Sequence, residues 1–120
     1  MARIRSVKPS FWSDPDVVSL RLQARLMLLG LISSADDEGR FVATTTTIAG
    51  YVFPHDRLPM ATIRRWRDEI AKSGIIELYQ VDGLEYGHFP GWTKHQKINR
   101  PYPSAIPPPP GFTEHSVSKS

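Results

Sequence analysis

The sequence predicts a mainly helical α+β domain closed by a small β-hairpin, and three observations predict it. Apolar residues recur at helical spacing through most of residues 20–35 and 59–73. Two strand-like runs, residues 75–81 and 84–89, are separated by Asp82-Gly83, a two-residue turn that closes hairpins. The chain has 120 residues, 40% of them hydrophobic and 22% charged, which suits one globular domain with one core.

The elements follow in order. Residues 1–13 lack helical or strand periodicity, and Phe11 and Trp12 are expected to anchor them on the core. Asp14-Pro15 opens a short helical turn through Val18, with Asp as cap and Pro in the first helical position. The next helix runs from Leu20 or Leu22 to Ala35. Leu22, Leu26, Leu29 and Ser33 define one face, Met27, Leu28, Leu31 and Ile32 cover most of the rest, and the helix is expected to be buried. Arg25 inside it calls for an acidic partner, Asp36 or Asp37. Asp36-Asp37-Glu38-Gly39-Arg40 reads as a turn rather than a metal loop, because it lacks the alternating ligands of a calcium site. A very short strand at Phe41-Val42 follows. Thr44 to Thr47 then offer caps for a helix through Tyr51, stopped before Pro54.

The third main helix is expected over Pro59–Ser73, with Gly74 as its left-handed cap. Met60, Ile63, Trp66, Ile70 and Ala71 fall on its inner side. Ala61, Arg65, Asp68, Glu69 and Lys72 fall on the outer side, flanked by Thr62 and Arg64. Arg67 lies inside the apolar arc, which makes it a rim ion-pair residue. In the hairpin, the turn implies that Tyr79 faces Tyr86 and Glu77 faces His88. The resulting order, helix, short strand, helix, helix, hairpin, is that of a winged helix-turn-helix. The domain is expected to occupy residues 1–98. Residues 99–120, rich in proline and poor in apolar side chains, are expected to form a disordered tail or the start of a linker.

Three segments carry a family resemblance: Arg3-Ile4-Arg5-Ser6-Val7-Lys8-Pro9-Ser10-Phe11-Trp12, the block from Ala24-Arg25-Leu26 to Asp36-Asp37-Glu38-Gly39-Arg40, and His95-Gln96-Lys97-Ile98-Asn99-Arg100-Pro101. With Gly74-Ile75-Ile76 they resemble the N-terminal winged-helix domain of phage replication-initiation or replisome-organiser proteins. That family is in turn similar to the bacterial DnaD type of primosome protein. The resemblance implies binding of double-stranded DNA at a replication origin. In the family a linker and a helicase-recruiting region commonly follow. Here the chain stops inside what looks like the linker, so the sequence is expected to be a short form or a fragment.

Charge is unevenly placed. The net charge is +3, but residues 1–10 carry +3, residues 51–72 carry +2 and residues 91–120 carry +3, separated by acidic stretches. A fold that joined these blocks would make a face for a phosphate backbone. Arg64 and Arg65 are placed to read guanine edges, Thr62 to contact a base or phosphate, and Lys72 to contact phosphate. Asp68 and Glu69 on the same face are a difficulty, since they repel phosphate. Lys94, Lys97 and Arg100 are further candidates for phosphate contacts, and Arg3 and Arg5 for a minor-groove arm. Trp92 is expected to pack under the domain.

Other functions find little to run on. There is no cysteine, the four histidines show no ligand spacing, and neither a nucleophile elbow nor a phosphate-binding glycine loop is present. The expectation is a non-enzymatic protein without cofactor, metal or small-molecule substrate. No apolar run reaches membrane-spanning length and no signal-peptide core follows the basic N-terminus, so a cytoplasmic location is expected. Two alternatives remain open: a phage transcription regulator of the same fold, and a replisome adaptor that docks a helicase or a second copy of itself without binding DNA.

Overall fold

The computed structural model describes residues 3–111. A 3-10 turn at Pro9–Ser13 is followed by α1 (Pro15–Val18), α2 (Leu22–Ser34), β1 (Arg40–Val42), α3 (Thr45–Val52) and α4 (Met60–Ser73). Strands β2 (Glu77–Val81) and β3 (Leu84–His88) and the short α5 (Trp92–His95) complete the order. The fold is α+β, with a three-stranded antiparallel sheet in the order β1-β3-β2.

Local chemistry sets the boundaries. The Asp14 carboxylate accepts from the N–H groups of Asp16 and Val17 and starts α1. The Thr44 hydroxyl accepts from Thr47 N–H and starts α3. Pro59 is the N-cap of α4, so the helix proper begins one residue later than expected. Gly74 ends it at φ +88°, a conformation that costs glycine nothing. Asp82 and Gly83 both have positive φ, 51° and 80°, as a type I′ hairpin turn requires. The register is the expected one: Tyr79 faces Tyr86 and Glu77 faces His88.

Helices α2, α3 and α4 pack pairwise against one another. Met27, Leu28, Leu31, Ile48, Ile63 and Ile70 fill the space between them and are fully buried. Gly30 permits the contact of α2 with α3, because a Cβ there would lie 2.6 Å from the Val52 methyls. The sheet closes one side. β1 pairs with β3 rather than standing alone, and Phe41 lays its ring across Gly87 on the neighbouring strand. A Cβ on Gly87 would meet Phe41 Cζ at 2.4 Å, and the buried ring has little room to yield. Gly87→Ala is therefore expected to destabilise the domain by about 1–3 kcal/mol, read as a lower midpoint in thermal or urea unfolding.

Several expectations need correction. Helix α2 is buried on one side only: Leu22 is 72% and Leu26 57% exposed, so the 22/26/29/33 face points outward. Arg25 pairs with no acid among the described residues. Its guanidinium donates to the carbonyls of Leu20 and Val18, capping the turn that precedes its own helix. Phe11 packs on the core while Trp12 stays exposed. Met60, expected on the inner side of α4, is also exposed.

The tail differs most. Residues 99–111 do not leave the domain at 98 but lie back across it. Tyr102 N–H donates to Asp37, Ser104 N–H to Glu38, and the Ser104 hydroxyl to Asp36. Arg40 donates to the Ile106 carbonyl and the Tyr79 hydroxyl to that of Pro107. Apolar content was a poor guide here, because the segment is held through its backbone by the acids of the 36–38 turn. The rest of the expected tail, residues 112–120, lies outside the described residues.

Candidate nucleic-acid interface

The structure sorts the cations into two sets. Arg5, Arg21, Arg25, Arg40 and Arg67 are spent on holding the fold. Lys8, Arg57, Arg64, Arg65, Lys72, Lys94, Lys97 and Arg100 are exposed and take part in no ion pair among the described residues.

The outer face of α4 carries three of the second set, Arg64, Arg65 and Lys72. Ile63, Trp66 and Ile70 anchor its inner side on α2 and α3, which turns Ala61, Arg64, Arg65, Asp68 and Lys72 to solvent. Thr62 is half-buried at the flank. The first turn has no acid and no side-chain cap, so its free N–H groups and positive dipole end stay open to an anion.

Arg67, expected as an ion-pair residue at the rim, does form ion pairs but is buried rather than at the rim. Nη1 donates to the Ala43 carbonyl at 2.8 Å and lies 3.3 Å from Glu85, while Nε donates to Asp68. These contacts tie α4 to β3 and to the β1–α3 link, so the helix cannot roll relative to the sheet. The two acids of the outer face are largely accounted for. Glu69 accepts from Arg21 Nε at 2.7 Å and from Arg21 N–H at 2.8 Å. Asp68 accepts from Arg67. Glu69 thus has Arg21 to itself, Asp68 shares Arg67 with Glu85, and Arg64 and Arg65 are left as unpaired charges on that face.

The N-terminal arm does not hang free. Arg5 is buried, its Nη2 donating to the Ala35 carbonyl and lying 3.0 Å from Asp37 Oδ1. That approach is a Coulombic contact outside hydrogen-bond geometry, and Arg5 Nε has no acceptor. Arg5 is therefore removed from the DNA-contact set. Arg3 is partly exposed, with Nε 3.5 Å from Asp37 and its guanidinium over the Tyr102 ring and bonded to the Asn99 and Arg100 carbonyls. It is not an arm that can enter a minor groove without first breaking these contacts.

Asp37 is the centre of this arrangement, with its side chain only 2% exposed. Burial alone would raise its pKa, but Tyr102 N–H, Arg5 and Arg3 outweigh that and hold it below the usual carboxylate value. Trp92 is buried beside it and donates its indole N–H to the Asp37 carbonyl, packing under the domain as expected. Gln96 is also turned inward: its amide exchanges two hydrogen bonds with the Ser6 backbone.

Of the three basic blocks, the fold joins the first and third through these contacts. Lys94, Lys97 and Arg100 remain exposed on that joined segment. One exposed cation was missed in the sequence, Arg57, just ahead of α4, and Lys8 was counted in the basic N-terminal block without being placed among the contacts. A basic residue shortly before a helix start was the available signal for Arg57. The hairpin contributes no cation, since residues 77–88 hold Glu77, Asp82 and Glu85 but neither Lys nor Arg.

No group of three or more potential metal ligands occurs among the described residues, and no helix there is long and apolar enough to cross a membrane. Compared with protein-family models, curated proteins and solved structures, the chain matches none.

Proposed function

We propose that this chain is a winged-helix DNA-binding domain in which α4 enters the major groove. The observation that carries the reading is the outer face of α4, where Arg64 and Arg65 stand exposed and unpaired while Glu69 is paired with Arg21 and Asp68 with Arg67. The element order supports it: α3 and α4 form the helix pair, and β2 and β3 form the hairpin in the place of a wing. The hairpin is acidic, so in this reading it braces α4 through Glu85 and Arg67 rather than touching phosphate. The resemblance to phage replication-initiation proteins makes a replication origin the proposed target. A phage operator would be read by the same face.

The test is retention of genomic fragments by the purified protein, followed by sequencing. A common motif is expected among the retained fragments, with affinity that falls steeply as salt rises. Fragments from an origin favour the replication role, and fragments upstream of promoters the regulatory one. Absence of salt-sensitive binding to any fragment ends the reading.

A second reading, a protein adaptor, is favoured by the exposed Leu22 and Leu26 and by the acidic hairpin. A stoichiometric complex with a helicase or a self-association, together with no DNA binding, selects it.

A further inference from the structure

The contacts between the arm and residues 94–100 build something that neither segment has alone. Lys8 Nζ donates to the Lys94 carbonyl, Arg3 to the carbonyls of Asn99 and Arg100, and Gln96 is doubly bonded to Ser6. Two segments about ninety residues apart in sequence become one ridge that presents Lys8, Lys94, Lys97 and Arg100 to solvent. Neither residues 3–10 nor residues 91–100 contain an acid. The acid at the ridge's foundation, Asp37, is buried and matched by two arginines, so it does not cancel the outward charge. Asp14 and Asp16 border the ridge only at its α1 end, where Asp14 is committed to its cap. A small cleft lined by Lys8, His95, Gly91 and Gly74 places the ridge next to the C-terminal end of α4, beyond Lys72.

We propose that this ridge is a second nucleic-acid contact, which holds the phosphate backbone without reading bases. It rests on the reading that the domain binds DNA, and it adds a surface separate from α4. The chemistry fits a backbone rather than a base edge: lysines predominate, and they are point charges with no fixed fork. The cations recur every third residue, from Lys94 in α5 through the extended backbone after Gln96 to Arg100 at a bend, which spaces them along one segment. Fixing that segment in advance removes the ordering cost that a free basic arm would meet on binding. Asp37 serves as a positioning residue: although an acid, it favours binding of a polyanion by holding the ridge together.

The experiment is a salt titration of binding to a selected duplex and to a random one, with the wild type and with Lys94→Gln/Lys97→Gln/Arg100→Gln. All three side chains are exposed, and the Lys8 and Arg3 bonds go to backbone carbonyls, so an unchanged melting temperature is expected. The slope of log K against log salt should drop by about two to three, near 0.9 per lost phosphate contact. Affinity for both duplexes should fall by the same factor, roughly tenfold or more at low salt, leaving their ratio untouched. A wild-type slope in the triple variant overturns the ridge and leaves α4 standing. Salt-sensitive binding that the triple variant loses, but that never discriminates between duplexes, overturns α4 and keeps the ridge. No binding by the wild type even at about 50 mM salt overturns both.

Discussion

Replacing Arg64 and Arg65 together by alanine should erase sequence discrimination and leave the fold unchanged. Both side chains are exposed and make no ion pair among the described residues, so nothing in the core depends on them. On DNA each can fork onto a guanine edge, and a good bidentate pair is worth about 1–3 kcal/mol of discrimination. Loss of two such pairs lowers the ratio of selected to random binding by at least about thirtyfold. Competition binding with the two duplexes measures that ratio directly. A ratio that survives the double substitution removes α4 from the base-reading interface. The contrast with Arg67 is instructive. It lies on the same helix, but Arg67→Ala should cost stability rather than specificity, because it strands Glu85 and leaves the Ala43 carbonyl without its donor.

The largest loss of stability is expected for Asp37→Ala. The Asp37 and Arg5 side chains are 2% and 3% exposed, and removing the carboxylate leaves a buried guanidinium without its counter-charge. Breaking such a pair from one side costs about 3–5 kcal/mol, and here the Tyr102 N–H loses its acceptor too. A fall of about 10 °C or more in melting temperature follows for a domain of this size. Replacing both partners by apolar residues, Arg5→Met with Asp37→Leu, should recover much of that loss, since no lone charge then remains inside.

The same pair gives an acid sensitivity. The folded-state pKa of Asp37 lies below the unfolded value of 3.8, so its contribution is complete above that value. As pH falls through 3.8 toward the lowered folded value, the unfolded chain takes up the proton first and the contribution drains away. Wild type and Asp37→Ala should therefore differ most in stability near neutrality and converge in strong acid. A gap that stays constant down to acid unfolding would show that folding leaves the Asp37 pKa unshifted, and one that widens in acid that the buried carboxyl is neutral.

Much of the architecture was legible in the sequence because local chemistry wrote it. Asp14-Pro15, Thr44, Gly74 and Asp82-Gly83 each act within three or four residues, and all four mark real boundaries. The inner face of α4 was legible for the same reason: its period is local and its apolar residues are regularly spaced. Leu22 and Leu26 were misjudged because α2 is apolar nearly all round, and periodicity cannot tell which side of such a helix meets its neighbours. The segment after residue 98 was misjudged because its apolar content was counted, whereas carboxylates and Arg40 hold it by its backbone.

Turn chemistry and helical period fix the order of elements through the hairpin, its register, and the face of α4 apart from Met60, and all of these can be read from residue order. It also placed winged-helix DNA binding as the reading to test. Only the tertiary structure decided which cations are available. Helical period already set Arg67 apart from Arg64 and Arg65, but Arg5 looks like Arg3 and Lys8 in one dimension and differs in that Asp37 and the Ala35 carbonyl come to meet it from about thirty residues away. A charge is free or spent according to what the fold brings within about 4 Å of it, and spacing along the sequence carries no record of that distance.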